Sequence, residues 1–289
     1  MESRFKGAGV ALVTPFDSEG RIDFEALGRV VDSVTAGGVD FLVVLGTTAE
    51  TPTLSSAERA AVAAFIKERN AGRLPLVIGK GGNDTAKLCE ELRDHVVTAG
   101  YDAVLSVTPY YNKPSQEGLF RHYRAVAEAS PLPVILYNVP SRTGVNMSAE
   151  TTIRIAREVP NVIGVKEACG NIAQIEAIVA GVPEGFLVIS GDDAMTLDTM
   201  AAGGVGVISV LANVQPELFC RMVHSAAGDM AGARVIWASL EEAGRLLFAE
   251  GSPTGIKTAL ALKGICRADV RLPLIEGSAG LRESLRKLI

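Results

Sequence analysis

Val134-Ile135-Leu136-Tyr137-Asn138, then Ser148 ahead of Ala149-Glu150-Thr151-Thr152-Ile153-Arg154-Ile155-Ala156-Arg157-Glu158, then Val162-Ile163-Gly164-Val165-Lys166-Glu167, is one full period of the pattern that decides the fold. An apolar run, a capping residue before helical periodicity, and a second apolar run read as strand, helix, strand. Outward from it the same signals recur, and eight apolar runs stand along the chain: Gly9 to Val13, Phe41 to Leu45, Leu74 to Ile78, Ala103 to Val107, Val134 to Tyr137, Val162 to Lys166, Phe186 to Ile189 and Val205 to Val210. Each is continuously apolar rather than alternating, as parallel strands covered on both faces require. Helix starts are marked by Asp23, by Ser55-Ser56 with Glu58, by Asp84 and by Ser148, residues whose side chains accept from the first free helix N–H groups. The alternation predicts an α/β fold, a (β/α)8 TIM barrel over residues 1–212, with a C-terminal helical region over 213–289 packed on it. A doubly wound open sheet needs a glycine-rich turn after its first strand. Val13-Thr14-Pro15-Phe16 is no such turn.

Composition sets the outer limits. The 289 residues are 48% hydrophobic with a net charge of −5, enough material for a large core. No apolar run approaches the roughly 20 residues of a membrane span, and the opening MESRFKGAGV lacks a secretory layout, so a cytoplasmic protein with no membrane partner is expected. Cys89, Cys169, Cys220 and Cys266 are widely spaced with no paired motif, which points to buried small hydrophobes rather than a zinc site or disulfides. The acidic balance and the lack of a basic cluster argue against nucleic acid.

In a barrel the catalytic groups gather just after the strands. Those positions hold Thr14, Gly46-Thr47-Thr48, Lys80, Thr108 with Tyr110 and Tyr111, Tyr137-Asn138, Lys166-Glu167, Asp192-Asp193 and Ser209. An amine at a buried strand end is costly to keep charged, and the free amine is the form that makes an imine with a ketone. Lys166 fits that description, and equally fits a lysine reaching out to solvent. Strand parity lets Lys166 and Tyr137 point inward together, with Tyr137 as proton relay or as an aromatic cap on the core, and with Gly164 leaving space beneath or merely forming a strand end. Consecutive N–H groups and hydroxyls in Gly46-Thr47-Thr48-Ala49-Glu50 suit a carboxylate, or simply close a turn with Glu50 as its brace. Asp192-Asp193 reads as a helix cap before it reads as a metal site, so no metal is expected. His95, His122 and His224 fall in helical segments and read as structural. Gly79-Lys80-Gly81-Gly82 and Gly203-Gly204-Val205-Gly206 match no phosphate loop and read as tight turns. Lys80 and Lys257 compete with Lys166, but only Lys166 is expected to have a tyrosine on the adjacent strand.

Together Gly46-Thr47-Thr48-Ala49-Glu50, Thr108-Pro109-Tyr110-Tyr111-Asn112-Lys113-Pro114, Tyr137-Asn138-Val139-Pro140-Ser141-Arg142-Thr143-Gly144, Gly164-Val165-Lys166-Glu167, Gly191-Asp192-Asp193 and Gly206-Val207-Ile208-Ser209 resemble the dihydrodipicolinate synthase family. That family lies in the pyruvate-dependent class I aldolase superfamily, which also holds N-acetylneuraminate lyase. The resemblance spans nearly the whole chain. It implies condensation of pyruvate with L-aspartate 4-semialdehyde to 4-hydroxy-tetrahydrodipicolinate, on the route to diaminopimelate and lysine. It further implies a Schiff base on Lys166 with no cofactor, and a proton relay of Tyr137, Thr47 and Tyr111, the last reaching in from a neighbouring copy. Thr48 and the backbone at Ile208 would hold pyruvate, Arg142 would clamp the second substrate's carboxylate, and a homotetramer built as a dimer of dimers would be the working unit. Ala49 stands where the superfamily has glycine, which is tolerable only at negative φ. Lysine-inhibited members carry Asn-x-x-x-Glu after strand three; here Asn83 is followed by Lys87, and with Arg59 as a second cation weak or absent lysine inhibition is expected. The alternatives are a pyruvate-releasing sugar-acid aldolase and, more remotely, a catalytically silent barrel with a regulatory or scaffold role.

Overall fold

The computed structural model describes residues 2–94 and 98–289. Its strands are β1 Gly7–Ala11, β2 Phe41–Val44, β3 Leu76–Gly79, β4 Ala103–Val107, β5 Val134–Asn138, β6 Val162–Glu167, β7 Leu187–Ser190 and β8 Gly206–Ser209. They follow one another in sequence order as a closed barrel, the α/β fold expected from the alternation. Each predicted run overlaps one strand. β1 starts at Gly7 rather than Gly9 because its first two residues, Gly7 and Ala8, are small and carry little hydrophobic signal; Gly9 itself is held to glycine by the Phe41 ring, 2.2 Å from where a Cβ would lie.

The predicted helix starts are capped as their chemistry requires. Asp23 accepts from Ala26 N–H, Asp84 from Lys87 N–H and Ser148 from Thr151 N–H. Ser55 and Glu58 form a reciprocal capping box. Each such cap is worth about 1 kcal/mol.

The chain forms two compact units, Met1–Lys6 with Pro75–Ile208, and Gly7–Leu74 with Ser209–Ile289. In the first, β3 to β7 pair in parallel, and helix Gln116–Ala129 packs between helices Thr85–Arg93 and Ala149–Glu158. Its core is Val104, Ile135, Leu136, Val165 and Ile189, all fully buried. In the second, β1 pairs in parallel with β2, and helix Pro216–Ala226 packs on β1 and on helix Phe24–Ala36. Helix Met230–Ala249 then covers Pro216–Ala226 and Thr254–Leu262, and Ala279–Arg286 packs on the last of these. Asn213 Nδ2 donates to Ala11 O at 2.8 Å, fastening the turn before Pro216 to the end of β1.

The histidines are structural where they are described. His95 lies outside the described residues. His224 places Nε2 2.7 Å from Asp40 Oδ2. His122 is buried, with Nδ1 2.9 Å from Thr85 Oγ1 and Nε2 without a hydrogen-bond partner among the described residues. Burial pulls its pKa down to about 4. A depressed folded-state value means that stability is fully present above about pH 6.5 and is lost as pH falls toward 4, by about 3 kcal/mol in total. Urea unfolding at pH 7 and pH 4 is expected to show this loss, and His122→Gln is expected to remove that part of the pH dependence.

Three of the cysteines are buried as expected. Cys169 departs from the expectation: it is only partly buried, because it stands in the turn just past β6, where its sulfur donates to Asn171 O. Burial pushes its thiol up to about 12, far from a reactive thiolate. Among the described residues no helix is long and apolar enough to cross a membrane.

Candidate active site

The ends of β5 and β6 bring the two leading residues together. In the parallel ladder Tyr137 is the register partner of Lys166, and Asn138 that of Glu167. Lys166 is 5% exposed, and its Nζ stands 4.3 Å from the centre of the Tyr137 ring. No carboxylate pairs with it among the described residues. The competing lysines are both paired, Lys80 with Glu91 at 3.4 Å and Lys257 with Glu50 at 2.5 Å. A buried amine without a counter-ion, against an aromatic face, is the arrangement that imine chemistry uses.

Below this pair the structure corrects one expectation. Gly164 does not open a space for a substrate, because a Cβ there would meet Leu187 O at 2.7 Å. The glycine lets the backbone of β7 close against β6. Room for the lysine comes instead from Gly191, where a Cβ would lie 3.1 Å from Lys166 Cε and 2.8 Å from Ala168 Cβ.

Beside the pair, Glu167 and Asn138 lock the two strand ends. Asn138 Nδ2 donates to Glu167 Oε1 at 2.8 Å, and Asn138 Oδ1 accepts from Met147 N–H at 3.0 Å. Glu167 also accepts from Cys169 N–H and from Gln174 Nε2. Desolvation raises the Glu167 carboxyl above its usual range, and these donors oppose the rise. The network holds Tyr137 and Lys166 from behind.

Other predicted residues of this unit lie around neighbouring loops. Tyr111 follows β4 in a left-handed conformation (φ 73°) with 88% of its surface exposed. Its N–H donates to Thr143 O, in the short helix Pro140–Thr143 that carries the exposed Arg142. Ile208 is buried in β8. Asp192 is not a helix cap: its Oδ1 accepts from Ala194 N–H, and Ser190 and Thr196 hydroxyls donate to its carbonyl, so it shapes a turn before the helix. No group of three or more potential metal ligands occurs among the described residues.

In the other unit Thr47 and Thr48 form a single 3-10 turn, Thr47–Ala49, with Thr48 buried and Thr47 exposed. Ala49 has no positive φ, which explains how a methyl is accommodated there. The left-handed positions fall on either side, at Leu45 (φ 57°) and Glu50 (φ 55°). Each costs of order 1 kcal/mol in a residue with a side chain, so the turn persists only if something outside it holds it. Thr51 Oγ1 closes it from one side by donating to Gly46 O at 2.9 Å.

The model of the dihydrodipicolinate synthetase family matches residues 4–289. The chain belongs to that family. A curated relative from Parabacteroides distasonis, named 4-hydroxy-tetrahydrodipicolinate synthase, is 51% identical over 98% of this chain and 96% of its own. The solved dihydrodipicolinate synthase of Thermotoga maritima is 39% identical, with a TM-score of 0.95 over 99% of this chain and 97% of that one. A synthase of the same kind from Cyanidioschyzon merolae, solved with lysine bound, is 36% identical with a TM-score of 0.94, over 99% and 97% of the two chains.

Within this family fold, the sequence alone assigns no role to Asn138, Glu167 or Gly191. Their signal was position alone, next to Tyr137, to Lys166 and to the end of β7. It also left Lys257 without a partner, since Glu50 lies far from it in sequence and only folding brings the two together.

Proposed function

We propose that this chain is a 4-hydroxy-tetrahydrodipicolinate synthase, a lyase of class I aldolase type that condenses pyruvate with L-aspartate 4-semialdehyde. The observation that carries the reading is the buried Lys166 amine, with no carboxylate partner among the described residues and set against Tyr137 by strand register, in a chain of this family. Lys166 Nζ adds to the pyruvate ketone carbon; the carbinolamine loses water and leaves an iminium. Loss of a proton from the pyruvate methyl then gives an enamine, whose carbon adds to the aldehyde of the second substrate. Each of these steps moves a proton to or from an oxygen or carbon near the amine. The Tyr137 phenol serves as the relay, with Thr47 and Tyr111 completing it.

Thr48 and the Ile208 backbone hold the pyruvate carboxylate, and Arg142 takes the carboxylate of the semialdehyde with a planar bidentate donor. The exposure of Tyr111 suits a residue offered to a second copy, and a homotetramer in the cytoplasm, needing no cofactor or metal, is the working form. The test is a coupled assay with pyruvate, L-aspartate 4-semialdehyde, the following reductase and NADPH. Turnover supports the reading. Imine formation with pyruvate but no turnover replaces it with a pyruvate-releasing sugar-acid aldolase.

Arg142→Ala is expected to raise the KM for the semialdehyde about 10- to 100-fold, the worth of one charged hydrogen-bonded pair, and to leave pyruvate imine formation unchanged. Equal loss of both would remove Arg142 from the acceptor side. L-Lysine is expected to inhibit weakly or not at all: Lys87 stands exposed on helix Thr85–Arg93, four residues after Asn83, and repels a cationic effector. A steep fall in activity at sub-millimolar lysine would refute this.

A further inference from the structure

Lys257 and Glu50 form the most deeply buried ion pair among the described residues, with side chains 0% and 1% exposed. Neither belongs to the chemistry proposed above, yet both are held by neighbours from several sides. Lys257 Nζ lies 2.5 Å from Glu50 Oε1, donates to Asp269 O at 2.9 Å and sits 3.9 Å above the Phe16 ring. Glu50 Oε2 accepts the backbone N–H of Arg271 at 3.0 Å. The Arg271 guanidinium is itself fixed, bonding Glu58, Gly20 O and Thr53 O and stacking over the same Phe16 ring at 4.4 Å.

The backbone of Glu50 is the far end of the turn that carries Thr47 and Thr48. Its N–H donates to Thr47 O, and its carbonyl accepts from Thr53 N–H and Thr53 Oγ1. One residue therefore has its backbone in the threonine turn and its carboxylate anchored to the helix Thr254–Leu262 and the segment after it. A turn with left-handed residues on both sides does not hold its own shape, and a charged anchor with two fixed donors supplies what the turn lacks.

We infer that Glu50, with Lys257 as its counter-ion, is a positioning residue that sets the Thr47–Thr48 turn for reaction with pyruvate, rather than a stabilising ion pair only. The inference rests on the proposed role of those threonines. A buried ion pair is weak evidence for stability on its own, since an uncharged pair of similar volume often serves as well. That leaves geometry as the property it secures.

The experiment compares the full chain with Glu50→Gln/Lys257→Met, which leaves neither charge orphaned, and with Glu50→Asp, which keeps the charge and shortens the reach by one methylene. Thermal midpoint and the rate and pyruvate dependence of borohydride-trapped imine on Lys166 are measured for each. The double variant is expected to fold with a midpoint close to the parent's and Glu50→Asp with a lower one, and both to form the imine about 10- to 100-fold more slowly and to need more pyruvate. A parent-like imine rate and pyruvate dependence in either folded variant overturns the inference, since a purely stabilising pair would move the midpoint alone. The readout needs no aldehyde. A parent that traps pyruvate but does not turn over the semialdehyde thus counts against the proposed acceptor and leaves this test intact.

Discussion

Lys166→Met is expected to abolish pyruvate imine formation and to lower turnover by about three orders of magnitude or more, in a protein at least as stable as the parent. The two halves of this result come from one observation. The amine is buried and has no carboxylate partner among the described residues, so removing it orphans no charge and leaves no salt bridge to lose. Met matches the stem in length and fills the channel beside Gly191, avoiding the cavity cost of a truncation to Ala. Intact-mass analysis after borohydride and pyruvate reads the chemistry, and a thermal melt reads the fold. Persistent labelling in the variant, at Lys80 or Lys257, would displace Lys166 from its role.

Tyr137→Phe is expected to slow imine formation by about 10²- to 10⁴-fold, the usual contribution of a positioned proton relay, with little change in thermal midpoint. The ring stays, and with it the packing of a nearly buried side chain and the aromatic face under Lys166 Nζ. Only the hydroxyl goes. Single-turnover mixing with pyruvate isolates the step, and the labelled residue remains Lys166. If the variant forms the imine at the parental rate, Tyr137 is a wall of the site and the relay lies with the threonines.

Most of the architecture was legible in the sequence, for physical reasons. Strands covered on both faces must be apolar throughout, so Phe41–Val44 or Leu187–Ser190 announce themselves. Helices begin where Asp23, Ser55, Asp84 and Ser148 satisfy free N–H groups, which is local chemistry. Lys166 and Tyr137 stand out in the sequence because each closes the apolar run of its strand. What stayed hidden depends on contacts between distant residues. The partner of Lys257 is one case. The filling of the Gly164 gap by β7 is another, since a glycine looks the same in sequence whether it makes room for a ligand or for a neighbouring backbone. Cys169 was misjudged because a cysteine past a strand end lies outside the core that buries the other three.

The pairing of β5 with β6 is not uniform: Val134 faces Val162, but Ile135 faces Gly164, so Ile163 is an extra residue in β6. Ile163 acts as a phase shifter. In an unbroken ladder from Val134, Lys166 would sit opposite Asn138; the inserted residue draws it back opposite Tyr137. Successive strand residues point to opposite faces. Deleting Ile163 itself would remove the bulge and leave Lys166 opposite Tyr137, but a deletion just past it, at Val165 with Gly164 kept opposite Ile135, would turn Lys166 to the face now held by Val165 and put Glu167 across from Tyr137. One codon beside the bulge thus decides whether the position facing Tyr137 presents an amine or an acid.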